Sequence, residues 1–316
     1  MTDLDSAEIV PPASDEKAAR GARWRSIVTL LGLVGLTIAA VTTARSADGQ
    51  VLPSAGALAA GFVLHLVALG CAAQAWVALF PEGADKRELA RGLYTSQLTK
   101  YLPAGGIAQA ASQVALAGNQ GGLKAAALRL PVFSLSSIAA GATLGATLAF
   151  DSDLPGWARA LFGAGVLVVL ALHRAVLAAV LRFAKRFVRR LPEPDALPAQ
   201  GQILRCYAFF LGNLLAFSAA FAVLLHDLDD VAVLSVIGAT AAAWTAGYLV
   251  VPLPGGLGVR EAVILAALPE VARGPLLAVS VAHRLLGLAA EALLAGVAHL
   301  RAVQQRRRSV ETADRP

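Results

Sequence analysis

The chain has 316 residues, of which 57% are hydrophobic and 15% are charged, and its formal net charge is +6. Soluble domains carry about 25% charged residues, so this composition and a mean hydropathy of +0.65 exclude an ordinary soluble protein. Continuous apolar runs of ~20 residues predict membrane-spanning helices, whereas a membrane barrel would show alternating segments of ~10 residues. We therefore predict an all-α, polytopic membrane helix bundle. Its positive charge fits cytoplasmic loops that face anionic lipid headgroups better than it fits nucleic-acid binding.

The apolar part of the chain forms one unit between two polar tails. Residues 1–25 predict a disordered cytoplasmic tail, residues 26–301 a single transmembrane domain, and residues 302–316 a basic cytoplasmic tail. Cys71 and Cys206 lie in or beside apolar runs and supply neither a disulfide framework nor a metal cluster. We expect no metal and no cofactor.

About six apolar runs are long enough to cross a bilayer, and two further segments are interrupted by proline and glycine. The six runs occupy 27–44, 57–80, 125–150, 158–181, 203–225 and 275–300, and the interrupted segments occupy 94–118 and 231–270. Neither half of segment 94–118 is long enough to cross alone. It is interpreted as a re-entrant hairpin buried in protein, or alternatively as a pair of amphipathic helices lying on the surface.

Basic and acidic loops alternate along the chain. The basic clusters are 17–25, 86–91, 182–190 and 301–308, and the acidic loops are 151–153 and 226–230. Because lysine and arginine in short loops set orientation, the basic clusters predict the cytoplasmic side of a bacterial-type inner (plasma) membrane, with both termini inside. This orientation requires the two interrupted segments to enter from opposite faces, which predicts an inverted repeat; the alternative is a chance similarity between two common kinds of helix break.

The two interruptions share a Leu-Pro pair followed by two glycines. Proline removes an amide donor and glycine is costly to order, so neither stretch continues as a straight helix. The residues expected to shape these breaks are Pro103, Gly105, Gly106, Pro254, Gly255, Gly256 and Gly258.

Ionisable residues at membrane depth cost about 2.5–3.5 kcal/mol each, so they persist where they are paired or line a wet cavity. The candidates for binding a lipid phosphate are Arg260, Glu261, Arg284, Glu291, Lys100, Tyr101 and Arg174. Arg260 opens a helix, where free amides and a guanidinium both favour an anion. Arg284 and Glu291 are seven residues apart and share one helix face. The predicted pairs are Glu261 with Arg284 and Arg260 with Glu291.

Structural alternatives remain open for the same residues. The pairs could form an ion network that only holds a broken helix in place. Arg174 either lines the cavity or extends toward the basic loop, and Lys100 with Tyr101 either contacts a headgroup or marks the interface. His283 is interpreted as an interhelical hydrogen-bond donor in preference to a proton relay. Without a nucleophile constellation, a P-loop or a metal site, we do not expect an enzyme, and a membrane-embedded transferase is the weakest interpretation.

Three stretches of this sequence resemble a known family. They are Pro254-Gly255-Gly256-Leu257-Gly258-Val259-Arg260-Glu261-Ala262, Ser280-Val281-Ala282-His283-Arg284-Leu285, and Lys100-Tyr101-Leu102-Pro103-Ala104-Gly105-Gly106. Together they are similar to the lysylphosphatidylglycerol synthase transmembrane region family, whose members are flippase-like. The resemblance implies translocation of an anionic or modified phospholipid, or of a polyprenyl-linked lipid, between leaflets.

Two departures from the family pattern qualify this expectation. Many members carry a charged residue soon after the first break, whereas residues 107–117 offer only Gln109, Ser112 and Gln113 as prominent polar groups. The sequence also ends soon after its last apolar run, so we expect no soluble aminoacyl-transfer domain and no synthase activity. The alternative function is a non-transporting accessory subunit for a membrane enzyme that modifies lipids or glycans.

Overall fold

The computed structural model describes residues 52–100, 105–120, 122–150, 155–188, 192–249 and 258–313. Within these ranges all regular secondary structure is helical. The α-helices are α1 (Ala55–Ala78), α2 (Lys86–Thr99), α3 (Gly105–Ala117), α4 (Leu123–Gly145), α5 (Gly156–Gly165), α6 (Arg174–Lys185), α7 (Gln200–His226), α8 (Val233–Leu249), α9 (Val259–Ala267) and α10 (Arg273–Ala313).

Four helical segments among the described residues are long and apolar enough to cross a membrane. They are Ala55–Ala78, Leu123–Phe150, Gln200–His226 and Arg273–Gln304, and a bent pair raises the number to five. The chain is therefore a multi-pass helical bundle, as its composition predicts. The prediction of six full spans is not supported: the expected span at 27–44 lies outside the described residues, and the one at 158–181 is not a single helix.

The 158–181 run contains two helices that meet at a bend of 77°, between Gly156–Leu172 and Arg174–Lys185. After α5 the chain continues as a 3₁₀-helix over Val166–Leu172, which rises about 2.0 Å per residue instead of about 1.5 Å. The limb Gly156–Leu172 thus covers about 29 Å, close to the ~30 Å of a hydrocarbon core. His173 is extended, with ψ 127°, and its Nδ1 accepts a hydrogen bond from the Ala175 amide. The helical run is therefore broken at His173, and α6 bends away from Gly156–Leu172.

Helices α1 and α7 pack antiparallel and define the two ends of the bundle. The amide of Ser54, before α1, donates to Asp227, after α7, at 2.5 Å. At the opposite end Gln202 donates to the carbonyl of Phe80 at 2.9 Å. We call the end where α7 finishes the acidic end, since it carries Asp227, Asp229 and Asp230, and the end where α7 begins the basic end, since it carries Lys86, Arg87, Arg91, Arg182 and Arg186.

Two helical hairpins enter the bundle from opposite ends. Helices α2 and α3 pack together and connect to α1 and α4 at the basic end, where Arg129 of α4 donates to the carbonyl of Leu79 at 2.8 Å. Helices α8 and α9 pack together and connect to α7 and α10 at the acidic end. This is the arrangement that the charge pattern predicts. Helix α2 packs on α1 and α10, so the first hairpin belongs to the bundle and does not lie apart on its surface.

The apolar core is divided into two clusters along the bundle axis. One contains Trp76, Leu93 and Ile203 and lies toward the basic end; the other contains Leu224 and Leu276 and lies toward the acidic end. Five of the buried polar residues lie on α1, α7, α8 and α10, namely His65, Ser218, Thr240, Ser280 and His283. We call this group of buried polar residues the polar level of the bundle.

Helices α4 and α8 approach closely through small residues, the usual means of packing helices in membranes. A Cβ added at Gly141 would overlap the hydroxyl of Thr245, and one at Gly145 would meet the Cβ of Ala242 at 3.4 Å. Thr245 already donates its hydroxyl to the carbonyl of Ala241 at 2.8 Å and so has a fixed position. This crossing positions the second hairpin against the bundle.

Replacing Gly141 with alanine should therefore destabilise the protein by about 1–3 kcal/mol, because a methyl group is forced into a filled contact. Thermal unfolding in detergent measures the effect. Gly70→Ala is the matched control, since a Cβ at this helical glycine meets nothing within 4 Å and should be neutral or mildly stabilising. Thr245→Gly should rescue Gly141→Ala. Equal melting temperatures for Gly141→Ala and Gly70→Ala would show that this contact does not set the helix spacing.

Candidate functional site

The first half of the site is an ion pair between α9 and α10. Glu261 lies in the first turn of α9 and is 8% exposed. Its Oε2 accepts a hydrogen bond from the Gly258 amide at 2.9 Å, and its Oε1 lies 2.6 Å from Nη2 of Arg284. The approach is close but not aligned as a hydrogen bond, so charge attraction dominates it. The predicted pairing of Glu261 with Arg284 is confirmed.

Gly258 makes this geometry accessible. Its φ of +83° lies in the left-handed region, which glycine adopts without the steric cost that a side chain brings. The backbone thereby turns its amide toward the Glu261 carboxylate as α9 begins. A negative side chain at this position also stabilises the positive end of the helix dipole. Of the glycines predicted to shape the second break, Gly258 is the one whose conformation the structure describes.

The second half of the site is an ion pair between α2 and α10. Lys100 follows α2, and its Nζ lies 2.5 Å from Oε1 of Glu291. Nearby, Gln109 of α3 donates to Gln97 of α2 at 3.1 Å, which joins the two limbs of the first hairpin. The predicted partner of Glu291 was Arg260, whereas the structure shows Lys100 on this carboxylate. Spacing along one helix could not reveal which hairpin would reach Glu291.

Arg260 lies within the second hairpin and against its other limb. Its guanidinium carbon is 6.0 Å from the ring centroid of Trp244. A Cβ at Gly247 would come within 2.7 Å of Cγ and 2.8 Å of Nε of Arg260. Only glycine at position 247 therefore leaves room for this arginine against α8. Gly247 and Trp244 were not predicted as neighbours of Arg260. The position of Gly247 shortly before the proline-glycine break could have indicated its contact with this arginine.

Helix α10 unites the two halves. Arg284 and Glu291 are separated by two helical turns, about 10 Å along the axis, and both lie near the middle of the Arg273–Gln304 span. Each is bound by a residue of a different hairpin. Because those hairpins enter from opposite ends, their inner ends meet at the middle of the same helix. The site is thus located at mid-depth of the bundle.

A small cavity of about 30 Å³ adjoins the second hairpin. Phe217, Phe221 and Trp244 supply aromatic walls, and its polar lining comes from Thr240, Arg260, Glu261, Ser280, His283 and Arg284. A buried water needs about 10–15 Å³ of such space, so the cavity holds roughly two waters. A cavity of this volume is too small for a phospholipid headgroup.

Two buried histidines extend the polar level behind Arg284. Nε2 of His283 donates to the carbonyl of Phe217 on α7 at 2.9 Å, which confirms the predicted interhelical donor. The ring of His65 on α1 lies 4.4 Å from that of His283. Gly287 leaves room for His65, since a Cβ there would lie 3.2 Å from its Cε1. His65 was not among the predicted site residues, although an ionisable residue inside an apolar run indicates a functional position.

The structure does not bring Arg174 to this site. Arg174 is exposed in the first turn of α6 at the basic end, where its amide donates to Gln200 at 2.7 Å. It lies directly after the break at His173, where α6 is bent by 77° from Gly156–Leu172. Gly105 and Gly106 begin α3. The remaining predicted site residues lie outside the described residues, namely Tyr101, Pro103, Pro254, Gly255 and Gly256.

No group of three or more histidine, cysteine, aspartate or glutamate side chains that could hold a metal ion occurs within the described ranges. The chemistry of the site consists instead of cations and carboxylates between apolar layers. Such a site can exchange one anionic partner for another.

Comparison with known proteins assigns no family. No protein-family model matches the chain, and no curated protein matches it.

Proposed function

We propose that the protein is a flippase-like carrier that moves a lipid with an anionic headgroup between membrane leaflets. The observation that carries this proposal is the pair of opposite-end hairpins whose inner ends each form an ion pair with the middle of α10. Paired interrupted helices that meet at mid-depth are the usual location of a transporter site, and we interpret the two hairpins as halves of an inverted repeat. The resemblance of the Gly258–Glu261 and His283–Arg284 motifs to flippase-like proteins supports the same function.

In this proposal the lipid phosphate replaces a carboxylate as the partner of a buried cation. In the described structure, which this proposal takes as the closed state, Glu261 neutralises Arg284 and Glu291 neutralises Lys100. When a phosphate enters, Arg260 and Arg284 bind it, and Glu261 keeps its hydrogen bond from the Gly258 amide. A planar guanidinium binds phosphate through two parallel hydrogen bonds. Arg284 thus has an anionic partner in both states, which avoids the large cost of an isolated buried ion.

The basic end faces the cytoplasm of an inner (plasma) membrane in this proposal. Lysine and arginine in short loops remain on the cytoplasmic side, and the basic end collects Lys86, Arg87, Arg182 and Arg186. The first hairpin then opens to the inner leaflet and the second to the outer leaflet. Headgroup passage requires the cavity of about 30 Å³ to open alternately toward each end.

A second function is favoured by the smallness of that cavity. A closed, charge-matched network also suits an accessory subunit that holds a lipid- or glycan-modifying enzyme in the membrane, with the ion pairs serving stability alone. Under this alternative, replacing both members of an ion pair by uncharged residues leaves the function intact as long as the protein remains stably folded. Under the carrier function, the same replacement removes the phosphate ligand.

Transport itself is tested with Arg260→Met, which keeps an unbranched stem against Gly247 and removes the charge. Wild-type protein in vesicles should move NBD-labelled phosphatidylglycerol or an NBD-labelled polyprenyl phosphate between leaflets, as read by dithionite bleaching. Arg260→Met should move neither faster than protein-free vesicles do. Arg205→Met is the control, because Arg205 is exposed on α7 at the basic end. Equal rates for wild type and Arg260→Met at equal protein density, with both lipids, would refute the carrier function.

The two functions are separated by the Glu261–Arg284 pair. Glu261→Ala alone should cost about 3–5 kcal/mol, since it leaves Arg284 as an uncompensated buried charge. The double variant Glu261→Leu with Arg284→Met should recover the melting temperature, because apolar residues of similar volume replace buried ion pairs at little cost. For a carrier, this stable double variant loses transport. If it moved the labelled lipids at the wild-type rate, the pair would serve stability alone.

A further inference from the structure

Helix α6 presents three chemically different faces. One face packs on the bundle: Leu181 is 9% exposed and belongs to the apolar cluster at the basic end, and Leu177 packs against that cluster. The other two faces are exposed. The helix is therefore anchored along one side and offers the rest of its surface to the surroundings.

The second face is an exposed apolar stripe. Val176, Val180 and Phe183 are spaced by four and three residues, which places them in one row on a helix. Phe187 continues the row beyond the last turn, and its ring lies 5.4 Å from that of Phe183. Their exposed fractions are 43%, 61%, 60% and 75% in chain order. A row of four large apolar side chains is costly to leave in water.

The third face is basic. At 100° per residue, Arg182 and Arg186 lie roughly 110° around the helix from the apolar stripe. Both are exposed, as is Arg174 at the start of the helix. Lys185 pairs with Glu193, whereas no carboxylate in the described part of the chain lies within salt-bridge distance of these three arginines. The basic face thus carries a net positive charge beside the apolar stripe.

The direction of α6 places both faces at the membrane surface. The limb Gly156–Leu172 crosses the bundle, and α6 is bent from it by 77°, so α6 runs nearly parallel to the membrane plane. Gln200, at the start of α7, accepts a hydrogen bond from the Arg174 amide at 2.7 Å, which fixes the helix at the basic end. A helix with an apolar stripe and a basic face in this position lies in the interfacial region.

We propose that α6 is an interfacial helix that binds anionic phospholipid. Its apolar stripe inserts among acyl chains, and Arg182 and Arg186 bind headgroup phosphates next to the bundle. This proposal is independent of lipid transport, since it involves none of the residues on α10. It gives the exposed stripe and the excess arginines one common partner.

The test uses the full chain with Phe183→Trp, reconstituted into vesicles of phosphatidylcholine and phosphatidylglycerol. Two vesicle preparations are compared, one with mid-chain brominated phosphatidylcholine and one with mid-chain brominated phosphatidylglycerol. The fluorescence of the wild-type chain is subtracted to remove the contribution of its native tryptophans. The introduced indole should be quenched by brominated chains, and more strongly by phosphatidylglycerol at equal mole fraction. Adding Arg182→Gln and Arg186→Gln should lower this preference about five-fold or more, because one cation near an anionic surface contributes ~1 kcal/mol.

Arg159→Gln in the Phe183→Trp background is the matched control. Arg159 is an exposed arginine on α5 near the acidic end, and its loss should leave the lipid preference of the introduced indole unchanged. Absence of quenching by either lipid would show that α6 lies in water or on a protein partner and would overturn the proposal. An unchanged preference after loss of both arginines would overturn the headgroup assignment.

Discussion

A charge at membrane depth is tolerated only with a counter-charge beside it, and this constraint determines where the hairpins of this protein must end. Helix α10 carries Arg284 and Glu291 on one face, two turns apart near the middle of its span. Removing a single buried partner costs several kcal/mol, whereas the intact pair is roughly neutral. Glu261 and Lys100 therefore hold the inner ends of two hairpins at a fixed depth.

The remainder of the bundle is arranged around this polar level. Apolar clusters lie on either side of it, and His65 with His283 continue it toward α1 and α7. Small residues are placed where bulky neighbours require space: Gly247 beside Arg260, Gly287 beside His65, and Gly141 beside Thr245. Because helices in lipid gain little from apolar contact with one another, close packing through glycine supplies much of the attraction that holds them together.

The ion pairs of the site and helix α6 lie at different levels of the molecule. The ion pairs are at mid-depth, whereas α6 lies at the basic end beside the start of α7. In the proposed carrier, a lipid reaches the polar level only when a hairpin moves, since the cavity beside Arg260 holds about two waters. The proposed lipid contact of α6 would keep anionic headgroups concentrated at the end where the first hairpin opens.

The amino-acid sequence by itself determined the class of the protein and the opposite entry of the two hairpins, and it named Glu261, Arg284, Lys100 and Glu291 as candidates. Apolar spans can be found by averaging hydropathy over a window of the sequence, and the alternation of basic and acidic loops can be found without knowing how the helices pack. The pairing of Glu261 with Arg284 also followed, because Glu261 opens a helix close in sequence to the last span. These features depend on composition and on short-range spacing, which a single sequence contains.

Tertiary structure alone decided which distant groups meet. Lys100 reaches Glu291 across 191 residues of chain, and only the packing of α2 on α10 brings them together. Hydropathy could not show that the 158–181 run is broken at His173. A 3₁₀ segment and an α-helix can have the same hydropathy although their rises per residue differ. The same bend places Arg174 at the basic end. His65 became part of the polar level only through its contact with His283.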